Sequence, residues 1–461
     1  MKILLAGYNI DIELIKKLEN QELATPETIS AAYARISRSE KDVTSLRNES
    51  LQEVEKARKS NANIIYEMGH SSIAEHAMFN FDLIGISRLM SELIHRSRLA
   101  SFTEKSQRYV TLQGDYVVPE EIKDNKALLN EFHAMIEKQN HLYESLYNRG
   151  VDYLKSTGFE GKRRELEGKA KEDARYVLSL ATQTQMGITI NGRSLERLLR
   201  RLDGSPLIEA KALKESIEKE VKHIAPSIIK YTNSDSFGEL ISTKPTVFEQ
   251  QVIKANIIDI SKDAEKSILI AHLMDLSGYS YIQAKSIVEN MNQEEIACAF
   301  QSIFKDLKSY HSVPRSFEMC DITFELSMSS SCFAQLKRHR MASIYRSSYH
   351  PSLSYVIPPL LRELHAEKEI EDLMALSTNL YNKFEGIKPG LGAYCMTNAH
   401  YINVLMKLNL RELYHFVRLR SDMHAQWEIK QLSDEIVPLV KTLLPNSAQF
   451  LFGKDEFTRE Y

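Results

Sequence analysis

The hexapeptide RSRLAS at Arg96–Ser101 returns as RHRMAS at Arg338–Ser343, an offset of 242 residues (338 − 96). Each copy is followed at the same distance by a serine, Ser106 or Ser348, and then by a tetrapeptide of the form YV-x-P. Solenoid proteins repeat units of about 20–45 residues. An offset this long therefore indicates the duplication of a whole domain.

A second pair of markers shows where the two copies differ in length. Asn191–Arg193 returns as Asn409–Arg411, an offset of 218 residues (409 − 191). Because the two offsets differ by 24 residues (242 − 218), the first copy holds extra sequence, which we expect in the charged helical stretch 155–171. A polar run of turn-forming residues, 232–238, marks the expected boundary. The predicted domains are 1–232 and 239–461.

The composition is that of a soluble globular protein. Of 461 residues, 43% are apolar and 26% are charged, and the formal net charge is −3. This charge excludes a global basic field that would recruit nucleic acid. The four cysteines form no C-x-x-C pair. The opening MKILLAGYN predicts a strand rather than a signal peptide, and no apolar run reaches membrane-spanning length, so we expect a cytoplasmic protein without a membrane partner.

The coarse pattern is helix-rich α+β. Alternating apolar residues at 78–83 predict a strand. Apolar residues from Ile86 to Ile94 recur at the spacing of an amphipathic helix, and this helix is expected to end at Arg96. A further helical face runs from Ile429 to Leu443.

Three motifs together resemble the signatures of flavin-dependent thymidylate synthases. They are R-H-R-x7-S at Arg338–Ser348, the block Gly69–His76 with the loop 100–110, and the stretch Asn409–Ile429. The resemblance implies two homologous domains of this fold, each a mainly antiparallel sheet with flanking helices. It also implies an FAD-dependent methyltransferase that converts dUMP to dTMP, with methylenetetrahydrofolate as carbon donor and NADPH as reductant.

The resemblance implies a dUMP site that is rich in arginine. A nucleotide monophosphate carries about two negative charges, and its oxygens suit the two-pronged donors of a guanidinium group. Arg420 is expected beside the uracil ring, where a cation stabilises electron density pushed onto the base when C5 attacks the one-carbon unit. The residues implied for the substrate are Glu104, Ser106, Gln107, Arg108, Arg175, Gln335, Arg338 and Arg420.

The same resemblance implies a flavin cradle, in which His70 lies close to the reactive edge of the isoalloxazine ring. The residues implied for catalysis are Arg420, His70 and Ser106. We expect Ser106 to bind substrate rather than to act as a covalent nucleophile, because no orienting His/Asp pair is fixed by spacing. No metal site is expected, since His70 and His76 do not share a helix face. The residues implied for FAD are His70, Ser72, Arg338, His339, Arg340, Asn409 and Arg411.

Each copy departs from the family pattern where the other keeps it. The first copy has Leu93, Ser97 and Leu202 at the positions of Gln335, His339 and Arg420. The second copy has His350 and Ala393 at the positions of Arg108 and Arg175. We therefore expect composite sites, in which both domain types contribute residues, within a homodimer of four domains.

Two alternatives stay open. A related flavin enzyme could act on another pyrimidine nucleotide, since Thr103 replaces the Asn-like residue of the family's loop. The chain could instead be a catalytically inactive nucleotide-binding paralogue, since each copy is partly degenerate. The repeated arginines could also be solvated cations at helix C-termini, but their spacing to the serine and to the later markers argues against this for Arg338 and Arg340.

Overall fold

The computed structural model describes residues 1–10, 16, 25–36, 41, 43–67, 70–108, 114–235, 237, 252 and 255–458. Three motif residues (Gly69, Tyr109 and Val110) and part of the expected boundary (Ser236, Gly238 and position 239) lie outside the described residues. The chain divides into two compact units. The first unit is Met1–Val247 with Pro358–Thr397, and the second is Phe248–Ile357 with Asn398–Tyr461.

Each unit holds a four-stranded antiparallel sheet, and the strand orders are β1-β2-β4-β3 and β5-β6-β8-β7. The equivalent orders, with flanking helices, confirm the predicted α+β class. The strands are β1 (Lys2–Tyr8), β2 (Met78–Ser87), β3 (Ala100–Glu104), β4 (Gln183–Asn191), β5 (Asn256–Ile260), β6 (Asp321–Ser329), β7 (Ser343–Arg346) and β8 (Tyr401–Asn409).

Helices account for much of the remaining described chain. They are α1 (Glu27–Ile36), α2 (Val43–Gln52), α3 (Val54–Ala62), α4 (Arg88–His95), α5 (Lys126–Ser156), α6 (Arg163–Ala174), α7 (Gly192–Asp203), α8 (Ile208–Val221), α9 (Ala264–Ser277), α10 (Tyr281–Glu289), α11 (Gln293–Phe304), α12 (Ser330–Leu336), α13 (Pro359–Glu363), α14 (Glu367–Ile387), α15 (Leu410–Arg420) and α16 (Trp427–Leu443). None of the helices in these described ranges is long and apolar enough to cross a membrane.

The strand predicted at 78–83 is confirmed as the first part of β2, where the apolar side chains of alternate residues are buried. The structure continues β2 across a bulge to Ser87, so Ile86 belongs to the strand rather than to the predicted helix. The helix begins only after Ser87, whose Oγ accepts a hydrogen bond from the Met90 amide at 3.0 Å. A serine in this capping position ends the strand and starts α4.

The second unit repeats this strand-to-helix junction. Ser329 ends β6, and its Oγ caps α12. In each unit a glutamate on a later helix accepts hydrogen bonds from both the amide and the hydroxyl of the capping serine. These pairs are Glu209 with Ser87, and Glu428 with Ser329. The junction thus positions the repeated R-x-R turn at the end of α4 and of α12.

The 12 residues of α6 supply half of the 24 extra residues of the first copy, and α6 overlaps the charged stretch 155–171 from residue 163 onward. In the second copy a single 3-10 turn, Leu391–Cys395, lies between α14 and β8. The expected helical insertion is therefore confirmed. It supplies Glu172 and leads directly to Arg175.

Residues 358–397 belong to the first unit because α14 packs on α5. The rings of Phe132 and Phe384 lie 5.5 Å apart, and Gln139 Nε2 donates to Ser377 Oγ at 3.2 Å. The compact units therefore have other bounds than the domains proposed from the sequence, 1–232 and 239–461, which stay a prediction.

Candidate functional site

The predicted site residues lie in both units. Those in the first unit are His70, Ser72, Glu104, Ser106, Gln107, Arg108 and Arg175. Those in the second unit are Gln335, Arg338, His339, Arg340, Asn409, Arg411 and Arg420.

In the first unit, a turn after β3 carries most of the residues predicted to hold phosphate. The strand ends at Glu104, and the Arg108 amide donates to Ser106 Oγ at 3.2 Å. Gln107 lies within the same turn and is half-buried. The bond closes the turn and holds the Ser106 hydroxyl beside the Arg108 backbone.

Three arginines and two glutamates form a network at this turn. Arg88, the first residue of α4, donates from Nη1 to both carboxylate oxygens of Glu104 at 2.8 Å. Arg108 forms an ion pair with Glu172. Arg175 donates from Nε to the Glu172 carbonyl oxygen at 3.1 Å. The structure thus brings the predicted Glu104, Arg108 and Arg175 together and adds Arg88 and Glu172, which sequence reasoning missed.

The network concentrates positive charge. Burial lowers the pKa of Arg175, and the charges of Arg108 and Arg88 lower it further, while Tyr176 and Glu172 act in the opposite direction. Guanidinium groups nevertheless stay protonated at neutral pH. Three cations held this close repel one another, so a bound anion would stabilise the arrangement.

His70 and Ser72 lie on a separate turn. His70 precedes the 3-10 turn Ser71–His76, and its amide donates to the Ile64 carbonyl oxygen at 3.0 Å. The side chains of His70 and Ser72 are both exposed. Within the described chain, no hydrogen bond or ion pair joins His70 to the arginine network.

In the second unit, His339 is the buried centre of the predicted residues. Arg420 Nε donates to His339 Nε2 at 2.9 Å, and Arg420 Nη2 donates to the Gln335 carbonyl oxygen at 3.1 Å. Glu412 Oε1 lies 3.5 Å from His339 Nδ1. Because Nε2 accepts a hydrogen bond, the neutral ring carries its proton on Nδ1, toward Glu412. Gln335, His339 and Arg420 are therefore brought together.

The charge state of His339 follows from these neighbours. Burial lowers the pKa of His339, and Arg420 and His415 lower it further, whereas Glu412 raises it. His339 is therefore neutral at neutral pH. This neutral ring can accept the Arg420 hydrogen bond and fix the direction of the guanidinium group.

The lowered pKa of His339 predicts a pH-dependent contribution to stability. Below about pH 6.5 the unfolded chain binds a proton at this residue more readily than the folded chain does. The contribution is complete above that pH and is lost as the pH falls toward the folded pKa. We therefore expect the thermal midpoint of His339→Gln to fall less than that of the wild type between about pH 7.5 and pH 5.5, as measured by scanning calorimetry.

The control for this prediction is His141→Gln, which removes an exposed imidazole on α5 that is not a neighbour of His339. Its midpoint should fall as much as that of the wild type. An equal fall in all three proteins would mean that His339 does not titrate as the geometry implies.

Arg338 and Arg340 flank His339 on the turn after α12, and both are exposed. The His339 amide donates to the Leu336 carbonyl oxygen at 3.0 Å, which tightens the turn. The neighbouring Met341 is 71% exposed. The turn thus presents two guanidinium groups and an apolar side chain, a set that fits a ligand with a diphosphate and a flat ring.

Asn409 and Arg411 have structural partners. Asn409 Oδ1 accepts from the Glu412 amide at 2.9 Å and caps α15. Arg411 Nε donates to the Val313 carbonyl oxygen at 3.0 Å, and its Nη1 donates to Glu318 at 3.3 Å. Their role in holding a cofactor therefore stays a prediction.

The loop after β7 in the second copy corresponds to the turn after β3, but its side chains make different contacts. The guanidinium carbon of Arg346 lies 4.8 Å from the ring centre of Tyr349. His350, at the position of Arg108, has its Nδ1 2.6 Å from Ser352 Oγ. These local contacts give His350 a structural role in its own turn. Among the described residues, no group of three or more His, Cys, Asp or Glu side chains is arranged to hold a metal ion.

Comparison with known proteins gives a family match over most of the chain. The family model described as thymidylate synthase complementing protein matches residues 17–227 and 256–446. The flavin-dependent thymidylate synthase of Clostridium tetani is 35% identical over 172 residues, which are 37% of this chain and 68% of that protein. The UPF0159 protein Ta1429 of Thermoplasma acidophilum is 24% identical over 436 residues, covering 84% of this chain and 86% of that protein.

A solved structure also matches. The flavin-dependent thymidylate synthase ThyX of Helicobacter pylori, complexed with FAD and dUMP, has a TM-score of 0.30 and 20% identity. The match covers 50% of this chain and 100% of that chain.

Proposed function

Because the chain belongs to the thymidylate synthase complementing protein family, the flavin-dependent thymidylate synthases, we propose that it converts dUMP to dTMP with FAD as its cofactor. Methylenetetrahydrofolate supplies the carbon, and NADPH supplies the reducing equivalents. The observation that carries the proposal is the network at the turn of Ser106, where the guanidinium groups of Arg88, Arg108 and Arg175 lie close together.

The arginine network suits the phosphate of a nucleotide. The phosphate carries about two negative charges, more than the single charge of the Glu172 carboxylate that now pairs with Arg108. A phosphate can therefore replace this carboxylate and accept from Arg108, Arg175 and the Ser106 hydroxyl together. Glu104 keeps Arg88 in place through two hydrogen bonds, so the third cation remains nearby without direct contact.

The second unit has the residues that fit FAD. Arg338 and Arg340 would pair with the diphosphate, and the exposed Met341 offers apolar surface to the ring system. When bound, FAD supplies the hydride-transfer chemistry that no side chain can perform. The protein contributes binding, orientation and fixed charge.

The role of Arg420 in this proposal is to stabilise negative charge on the substrate. Hydrogen bonds to His339 and to the Gln335 carbonyl oxygen fix its guanidinium group before substrate binds. A fixed cation beside the uracil would stabilise the negative charge that develops on the base as C5 attacks the one-carbon unit. His339 acts through Arg420 and is a positioning residue.

Composite sites extend this proposal. The phosphate-binding turn is retained in the first copy, and the R-H-R turn is retained in the second. We infer that a homodimer of four domains supplies both parts to each complete site. This inference is supported by the sequence, because each copy retains the turn that the other copy has lost.

The proposed function has a spectroscopic test on the purified full-length chain. The protein should be yellow or become yellow with added FAD, and dUMP should accelerate the oxidation of its reduced flavin by methylenetetrahydrofolate. Replacing dUMP by dCMP is the control and should leave the slow rate. A chain that cannot be loaded with FAD would contradict the proposal and favour an inactive nucleotide-binding protein.

A further inference from the structure

Arg201 in the first unit makes the hydrogen bonds that Arg420 makes in the second. Its Nη1 donates to Ser97 Oγ at 3.1 Å and to the Leu93 carbonyl oxygen at 3.5 Å. Ser97 and Leu93 are the counterparts of His339 and Gln335, at the offset of 242 residues. In both copies, therefore, an arginine donates hydrogen bonds to the same backbone carbonyl position and to the same side-chain position.

This finding corrects the assignment of Leu202 as the counterpart of Arg420. The offset is 218 residues at the start of α7 and α15, but it is 219 between Arg201 and Arg420 (420 − 201). The next structural pair, Glu209 and Glu428, also has an offset of 219 (428 − 209). The sequence offset between the two copies thus changes by one residue between the starts and the ends of these helices. The counterpart of Arg420 is therefore Arg201.

The turn beside Arg201 also keeps its pattern of burial. Ser97 is 5% exposed and its counterpart His339 is 4% exposed, while the arginines on either side of each are exposed. The next residue is a large exposed apolar side chain in both copies, Leu99 at 60% and Met341 at 71%. The first copy therefore keeps the same order of exposed and buried side chains at this turn as the second.

The first copy carries more positive charge at this surface. Glu412, which lies beside His339, is replaced by Ser194, and His415 is replaced by Arg197 (412 − 194 = 218, 415 − 197 = 218). Burial lowers the pKa of Arg201 to about 10, and the charges of Arg96 and Arg197 contribute in the same direction. Arg201 therefore remains protonated at neutral pH in spite of two neighbouring cations.

Two other arginines of α7 have carboxylate partners. Arg193 pairs with Glu75, and Arg200 pairs with Glu196. Within the described chain, Arg197 and Arg201 have no carboxylate partner. Arg197 and Arg201 therefore favour an external anion, and their guanidinium donors suit phosphate oxygens.

We propose that Arg96, Arg197 and Arg201, the first-copy arginine cluster, bind the phosphate or diphosphate group of a nucleotide as a second anion site of the chain. Its residues differ from those of the Arg108 network and from those of the Arg338–Arg340 turn. The inference does not depend on the proposed function, because it concerns binding and can hold in an inactive chain.

The test counts bound ligand per full-length chain by isothermal titration calorimetry at low salt, with pyrophosphate, dUMP and FAD as separate probes. Arg201→Gln should bind one equivalent less than the wild type of at least one probe. The matched control is Arg200→Gln on the same helix, which should keep the wild-type stoichiometry. A loss with pyrophosphate and FAD identifies a diphosphate ligand, and a loss with dUMP identifies a mononucleotide.

Arg197→Gln separates loss of the site from loss of the fold. This arginine is exposed, so its replacement should preserve the circular dichroism spectrum while weakening the same site by about tenfold or more. Wild-type stoichiometry for all three probes in Arg201→Gln would overturn the proposal. Unchanged affinity in Arg197→Gln would also overturn it. The number of ligands bound per chain does not depend on dTMP synthesis. A chain without synthase activity would therefore contradict the proposed function but not this anion site.

Discussion

Arg108→Ala should weaken dUMP binding by about 100-fold or more, whereas His350→Ala should leave it within about twofold of the wild type. Arg108 can give a phosphate a charge-assisted pair of hydrogen bonds, and each such bond contributes about 1.5–3 kcal/mol. The alanine also removes the ion pair between Arg108 and Glu172, so an acidic side chain would remain near the incoming phosphate. Both effects oppose binding.

The measurement is calorimetric titration of each variant with dUMP. His350→Ala is the matched control because His350 has the equivalent position in the second copy and contacts Ser352 in its own turn. Circular dichroism checks that both variants fold. Equal losses of affinity in the two variants would remove the idea that the first copy alone provides the phosphate-binding turn.

Arg420→Ala should lower kcat by about 10²–10³-fold with a much smaller change in the amount of FAD bound. The loss is expected because the guanidinium group is held beside His339 and Gln335 before the reaction begins. Arg420→Lys should recover only part of the rate, since lysine keeps the charge but cannot make both directed hydrogen bonds. Steady-state kinetics with dUMP gives kcat and KM separately.

A rise in KM with unchanged kcat in Arg420→Ala would show that Arg420 contributes equally to ground-state and transition-state binding. That result would contradict the electrostatic role. The flavin absorption spectrum of each variant is the control for cofactor loading.

Much of the fold could be predicted from local patterns. The alternation at 78–83 predicted β2, and the opening apolar run predicted β1. The stripe from Ile86 to Ile94 placed the helix start too early, because Ile86 is buried equally well in a strand that continues to Ser87. The serine cap, rather than the apolar spacing, sets that boundary. The packing of α14 on α5 had no local signal, since it joins residues that are far apart in sequence.

The site was less predictable because side-chain roles depend on three-dimensional contacts. Arg88 was missed, although a cation in the first turn of a helix opposes the helix dipole and so indicates a specific partner; here that partner is Glu104. Arg201 was missed because a constant offset pointed to Leu202. Asn409 was predicted as a cofactor ligand, and the structure gives its side chain a capping bond to Glu412.

The most direct test of the central claim is multiple-turnover formation of dTMP by the purified chain. The reaction contains dUMP, methylenetetrahydrofolate, NADPH and FAD, and dTMP is quantified by chromatography. We expect more than one equivalent of dTMP per chain, with no product when FAD is omitted from protein stripped of its flavin. A chain that binds both FAD and dUMP but forms no dTMP would contradict the proposed catalytic role.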